Sequence, residues 1–205
     1  MADRDEDFLL GEANAGAFEH LRRWSTWPVM ATLLTGPRKS GRSLLGRIFV
    51  RKTGGRLFDN AEDHDEEALF HAWNDAQSRR RPLLLIADRS PPAWDVTLPD
   101  LHSRLAATPH IALGEPDDAL MRSLIDKLLA DRGLPVPPEL AGWLVPRIER
   151  SYLAVLQVVE ALDRASLARH GRISMPAARR VLEEAGLVQR PPNRQAEQHG
   201  PHSDA

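Results

Sequence analysis

The sequence predicts an α/β fold, a parallel sheet sandwiched by helices and followed by an all-α segment, and three observations predict it. Short apolar runs bounded by turn residues alternate with amphipathic helical stretches as far as Glu115. The first of these runs leads through a glycine-rich turn directly into a helix. Beyond Glu115 the strand-like runs cease and only helical patterns remain.

The first strand is Val29–Leu34, a continuous apolar run of the kind a parallel strand needs when both of its faces are covered. Ser43 to Arg51 carries Leu44, Leu45, Ile48 and Phe49 at helical spacing, and Thr53-Gly54-Gly55 ends that helix. Arg56-Leu57-Phe58 is a brief second strand. Asp65 to Arg79 sets Leu69, Phe70, Trp73 and Ala76 on one helical face, with Glu66 and Glu67 at the positive end of the helix dipole. Pro82 stops this pattern before a third strand, Leu83–Ile86, and Pro91-Pro92 forms a loop. Ile111–Leu113 is a fourth strand candidate.

In the helical part, Pro116, Asp117 and Asp118 open a helix with an apolar stripe through Leu120, Leu124 and Leu128, and Gly133 closes it. A second helix runs from Pro138 to about Ile148, disturbed by Pro146. Ser151 caps a third, which ends at Gly171, and Ser174 caps a fourth. The expected division is 1–115 for the α/β domain, 116–188 for the helical domain and 189–205 for a polar, disordered tail.

Composition narrows the function. The 27 Lys and Arg nearly balance the 29 Asp and Glu, which argues against broad wrapping of DNA but leaves room for a local basic patch. There is no cysteine, hence no disulfide framework and no thiolate metal site, and the eight histidines are scattered. The first residues are acidic rather than apolar, and no run is long enough to cross a bilayer. A soluble cytoplasmic protein is expected.

Gly36-Pro37-Arg38-Lys39-Ser40-Gly41-Arg42-Ser43 fits the phosphate-loop pattern at every fixed position but one, where Arg42 replaces the lysine. A strand enters the loop and a helix leaves it, so backbone N–H groups and the helix dipole would cradle a polyphosphate while Ser43 reaches Mg²⁺. Arg42 keeps the charge, but a planar guanidinium is not a compact ammonium. The alternative is a glycine-rich strand–helix turn with no ligand.

Phe8-Leu9-Leu10-Gly11-Glu12-Ala13-Asn14, the Gly36–Ser43 loop, Leu98-Pro99-Asp100-Leu101-His102-Ser103-Arg104-Leu105 and Leu162-Asp163-Arg164-Ala165-Ser166-Leu167 together resemble the AAA+ part of DnaA and of its relative Hda. The resemblance covers about Phe8 to Leu187. The loop arginine and the pair Asp59-Asn60 favour the Hda branch, which is associated with regulatory inactivation of DnaA. It implies an AAA+ phosphate-loop sheet with a helical lid, and ADP or ATP with Mg²⁺ as cofactor. Asp59 would hold Mg²⁺ together with Ser43, and Asp88, after the sensor-1 strand, would stand near the phosphates. Asn60 occupies the place of a second carboxylate and cannot act as general base.

Only 16 positions separate Ser43 from Asp59, which is short for the family. The sheet therefore lacks one edge strand, or else Arg56–Phe58 is that edge strand and no true Walker B motif exists. Arg104 matches the arginine finger that such proteins point into a neighbour's nucleotide site; its alternative is an ordinary surface ion pair. Leu153 falls where the lid should carry a sensor-2 arginine, and Arg150 is a substitute one turn earlier. The resemblance implies a DnaA-type initiator as partner, with a homodimer also open. No helix-turn-helix follows the lid, so sequence-specific DNA contact is not expected. Met1 to Asp7 does not resemble the Gln, Leu and Pro peptide with which Hda proteins bind the sliding clamp. The implied role is negative regulation of replication initiation by a chain that stimulates a partner's ATP hydrolysis rather than its own. The alternative is a nucleotide-free interaction module.

Overall fold

A computed structural model of the chain describes residues 8–169 and 172–188. The acidic segment 1–7, the helix end expected at Gly171 and the tail 189–205 lie outside the described residues. The elements run α1 (Glu12–Arg22), β1 (Ala31–Thr35), α2 (Arg42–Thr53), β2 (Arg56–Phe58), α3 (Glu66–Arg79), β3 (Leu83–Ile86), α4 (Pro99–Ala106), β4 (His110–Ala112), α5 (Asp118–Asp131), α6 (Leu140–Leu144), α7 (Tyr152–Arg169) and α8 (Met175–Glu184).

The four strands form one sheet in the order β2-β3-β1-β4, and every pairing is parallel. Every residue of β1 and β3 is buried, so both faces of the sheet centre are covered. This is why their sequences are apolar without alternation. Helices α2 and α3 pack on the central strands, α1 packs on β4 and α2, and α4 packs on α3. One hydrophobic core gathers residues from Phe8 to Leu113, and a second gathers residues from Met121 to Val188. No strand occurs after His110–Ala112 among the described residues.

Local chemistry sets the helix ends. Asp65 caps α3 by accepting from Ala68 N–H at 2.9 Å, and Asp117 caps α5 by accepting from Leu120 N–H at 2.7 Å. Ser151 accepts from Ala154 N–H at 3.1 Å, whereas Ser174 stands at the N-cap of α8 without a side-chain cap bond. Pro146 has the expected effect. The Pro138–Ile148 stretch is α-helical only over Leu140–Leu144 and then tightens into a 3-10 turn, Val145–Arg147, because proline has no N–H and its ring crowds the preceding turn.

Strand boundaries shift slightly. β1 begins at Ala31 rather than Val29, since the Met30 N–H is taken by the Gln77 side chain at 2.9 Å. β4 begins at His110 rather than Ile111, because Pro109 carbonyl accepts from Leu33 N–H at 2.9 Å and starts the pairing one residue earlier. The interval between Ser43 and Asp59 holds the rest of α2, the turn Gly54-Gly55 and β2, with no further strand or helix.

Candidate functional site

The loop from Gly36 to Ser43 bridges the buried end of β1 and the first turn of α2. Its backbone takes conformations that side-chain-bearing residues avoid: φ is 150° at Gly36, 67° at Lys39 and 89° at Gly41. A Cβ on Gly36 would stand 2.8 Å from that of Leu113, and one on Gly41 would stand 3.2 Å from the Phe8 ring. Gly41 is the N-cap of α2 and no side chain caps that helix, so first-turn N–H groups face out of the loop at the positive end of the helix.

Arg42 does not point along the loop. Its side chain, 12% exposed, folds against the C-terminal end of β3, where Nη1 donates to the Ala87 carbonyl and Nη2 to Asp88 Oδ1, both at 2.6 Å. Arg38 Nη2 adds a contact to Asp88 Oδ2 at 3.3 Å. The Asp88 N–H donates to Glu62 Oε1 at 2.6 Å. The hydrogen bond from Arg42, seconded by Arg38, holds the Asp88 carboxyl below its ordinary range against the opposing effect of burial. The structure thus brings Asp88 to the phosphate loop, in contact with the two loop arginines.

Ser43 is the second residue of α2 and is half-buried. Asp59 follows β2 directly, and its carbonyl accepts from His64 Nε2 at 3.0 Å. Asn60, exposed, turns the chain with a φ of 53°. Among the described residues no three His, Asp or Glu side chains converge as a metal-binding group.

A cleft of about 160 Å³ opens between the loop and the helical domain. Lys39, Ser40 and Gly41 form its loop side, Phe8, Leu9 and Asn14 its N-terminal side, and the apolar residues Leu120, Leu124, Val155 and Leu156 of α5 and α7 the far wall. Asn14 is fixed by bonds to the Gly11 N–H at 2.9 Å and the Leu9 carbonyl at 2.8 Å. Tyr152 donates to the Gly114 carbonyl at 3.1 Å, tying α7 to the connection between the two cores. Burial, with Glu115 and Asp117 nearby, pushes its phenol up to about 12. Ser40 Oγ, on the cleft wall, is buried and has no hydrogen-bond partner among the described residues. Apolar walls, an unpartnered hydroxyl and uncapped N–H groups suit a flat ring carrying an anionic group. Arg42 fits a polyphosphate less well, because two of its N–H donors are already taken by Ala87 and Asp88.

Arg104 lies on the exposed face of α4, and α3 positions it. Its guanidinium carbon sits 4.8 Å from the centre of the Trp73 ring, a cation–π contact instead of the surface ion pair weighed above. Trp73 Nε1 donates to Thr108 Oγ1 at 2.9 Å, and Thr108 donates to the Arg104 carbonyl at 2.8 Å. Trp73 therefore holds both the side chain and, through Thr108, the backbone of Arg104. At the start of α3, Glu66 accepts from Leu98 N–H at 2.6 Å and from the N–H and hydroxyl of Thr97, each at 3.0 Å, fixing the entry to α4. These bonds, the Thr97 backbone N–H first among them, hold the Glu66 carboxyl below its ordinary range.

Arg150 is paired with Asp118 at 2.7 Å, and both are largely exposed. Leu153, at the expected sensor-2 position, is 47% exposed. Sequence reasoning placed Glu66 only as a first-turn acid and missed the roles of Glu62, Trp73 and Thr108. Trp73 carried a signal, an aromatic on the buried stripe of α3. Glu62 carried none, because its contact is 26 residues away in sequence.

A glycine-rich loop between a parallel strand and a helix, in a small sheet followed by a helical segment, is the architecture the chain shares with several solved structures. The structure is similar to domain III of the Thermotoga maritima replication initiation protein DnaA, with a TM-score of 0.73 at 14% identity, over 87% of this chain and 95% of that one. It is also similar to AMPPCP-bound DnaA from Aquifex aeolicus, with a TM-score of 0.59 at 16% identity, over 76% of this chain and 63% of that one. Residues 118–182 match the family model of the Hda lid domain. An uncharacterized protein of Haemophilus influenzae is 31% identical over 121 residues, 58% of this chain, and the match spans about half (52%) of that protein's length. The chain thus has the fold of DnaA domain III, and its residues 118–182 are similar to the lid domain of Hda. Among the described residues no helix is long and apolar enough to cross a membrane.

Proposed function

We propose that this chain is an Hda-like regulator of replication initiation, acting on a DnaA-type initiator in its ATP form by presenting Arg104 in trans. The observation that carries this reading is the placement of Arg104. It is exposed on α4 and braced from α3 by Trp73, Thr108 and Glu66, in a chain whose helical part matches an Hda lid. A guanidinium delivered to a neighbour's γ-phosphate stabilises the negative charge that builds up there during transfer. The partner supplies the attacking water and its own metal; this chain supplies the cation and the surface that aligns it.

ADP or ATP with Mg²⁺ is proposed as a weak or structural ligand of this chain. The base would lie in the apolar cleft, the phosphates at the N-terminus of α2 and the metal at Ser43 and Asp59, with Arg38, Lys39 and Arg150 at the rim. The AMPPCP bound by the Aquifex DnaA supports nucleotide use in this fold. The proposed boundary between nucleotide domain and lid falls at 115/116, between the two cores. A homodimer and a cytoplasmic location belong to the same reading. A nucleotide-free docking module is the second reading, favoured by one observation, the bonds that tie Arg42 to Ala87 and Asp88.

The test is to mix the purified chain with ATP-loaded DnaA, with and without DNA-loaded sliding clamp, and follow ADP formation. Faster hydrolysis supports the regulator. Unchanged hydrolysis under both conditions overturns it and leaves the docking module.

A further inference from the structure

Arg42 and Glu62 grip one peptide group from opposite sides. Arg42 takes the Ala87 carbonyl and Glu62 takes the Asp88 N–H, each at 2.6 Å. The Asp88 carboxylate leaving that peptide then bonds Arg42 through one oxygen and Arg38 through the other, at 2.6 and 3.3 Å. Both arginines of the phosphate loop therefore converge on a single carboxylate. A guanidinium fork can serve a carbonyl and a carboxylate at once, which a lysine ammonium does less well. The replacement of lysine by arginine and the position of Asp88 are thus two halves of one arrangement.

We propose that Asp88 is an internal anion that competes with the phosphates of a ligand for Arg42 and Arg38, and so sets the affinity of the loop for polyphosphates. The proposal rests on the reading of Gly36–Ser43 as an anion-binding loop. In the free protein the carboxylate takes up the donors that would otherwise meet phosphate oxygens, and it keeps the mostly buried Arg42 paired. A polyphosphate arriving at the α2 N-terminus meets the uncapped first-turn N–H groups directly, but it must exchange with Asp88 to take the arginine donors that the carboxylate holds. It also brings its negative charge close to a carboxylate that Glu62 holds in place through the Asp88 N–H, and like charges at such a distance repel. The loop consequently keeps its shape without phosphate and binds it weakly.

The experiment is calorimetric titration of ATP with Mg²⁺, and separately of inorganic tripolyphosphate, into wild type, Asp88→Asn and Asp88→Glu. Asp88→Asn retains an oxygen acceptor for Arg42 but removes the charge; Asp88→Glu retains the charge. The expected result is a Kd lower by about tenfold or more for both ligands with Asp88→Asn, the scale of one charge-assisted contact, and wild-type affinity with Asp88→Glu. Cooperative melting of each ligand-free variant shows that it is folded, and Asp88→Ser replaces Asp88→Asn under the same criterion if it is not. Tightening confined to ATP overturns the proposal, since competition between anions does not depend on a base. So does any outcome in which Asp88→Asn binds no tighter than wild type. If wild type binds under that outcome, the loop remains a nucleotide site and only the competition fails. If neither protein binds ATP, the nucleotide reading fails with it. The in-trans action of Arg104 is untouched in either case, because it is read from hydrolysis by the partner.

Discussion

Arg104 and Trp73 divide one task between an exposed charge and a buried ring, and the two should respond differently to removal. An exposed cation–π contact is worth about 0.5–1 kcal/mol, so Arg104→Ala is expected to lower folding stability by no more than about that amount. Trp73 is only 8% exposed and belongs to the first core, so Trp73→Ala should cost about 3–5 kcal/mol. Trp73→Phe, which keeps a ring face and loses the N–H to Thr108, should fall between them. Denaturant unfolding of the three variants checks this order, and equal losses for Arg104→Ala and Trp73→Ala would contradict it. Gly41 is a second single-residue test. With φ at 89° and the Phe8 ring 3.2 Å from any added Cβ, Gly41→Glu should strain the loop and place a carboxylate against the phosphate position. The protein should lose any thermal shift produced by ADP with Mg²⁺, as read by melting with and without the ligand.

Among the elements, α3 organises α4, and Glu66 is its handle. Because the folded-state pKa of Glu66 lies below its ordinary value of 4.5, its contribution is present above that value. The contribution is lost as pH falls through the depressed folded value. Glu66 is half-buried and its carboxylate is still reached by solvent, so the effect is modest. The expected outcome is that melting temperature falls less steeply with acidification below pH 4.5 in Glu66→Gln than in wild type. Parallel acid profiles for the two proteins would show that Glu66 does not fix the start of α4.

The long apolar runs, β1, β3 and the stripes of α2, α3 and α5 were legible in the sequence because burial on both faces, or on one helical face, leaves a direct pattern. The helices α1 and α4 were not read as helices. α1 carries few apolar residues and an internal Gly16, and α4 is only 8 residues long. The site was legible where it is local, as in the loop Gly36–Ser43 and the motif around Arg104. It was illegible where it is made across the sheet. Arg42 meets Asp88 over 46 residues and Glu66 meets Leu98 over 32, and neither pairing leaves a trace in local spacing.

The whole molecule joins a cleft between two cores to a cation on the surface of the first. The two functions should separate. A ligand that binds only the folded state stabilises it by mass action, by about 2.7 kcal/mol at a hundred times its Kd, so ADP with Mg²⁺ should raise the melting temperature in a concentration-dependent way. The chain alone should nevertheless turn over ATP negligibly, because Asn60 offers no carboxylate base. Steady-state assay of the isolated protein checks this, and turnover comparable to a working AAA+ ATPase would contradict it. Action in trans can be read from single-turnover hydrolysis of labelled ATP preloaded on DnaA, with DNA-loaded clamp present. Wild-type chain, Arg104→Ala and buffer would be compared at equal concentrations. Wild type should accelerate hydrolysis, on the order of a thousandfold where Arg104 is fully engaged, and Arg104→Ala should return it to the buffer rate although that variant still folds cooperatively and melts within a few degrees of wild type. Equal rates for wild type, Arg104→Ala and buffer would contradict action in trans.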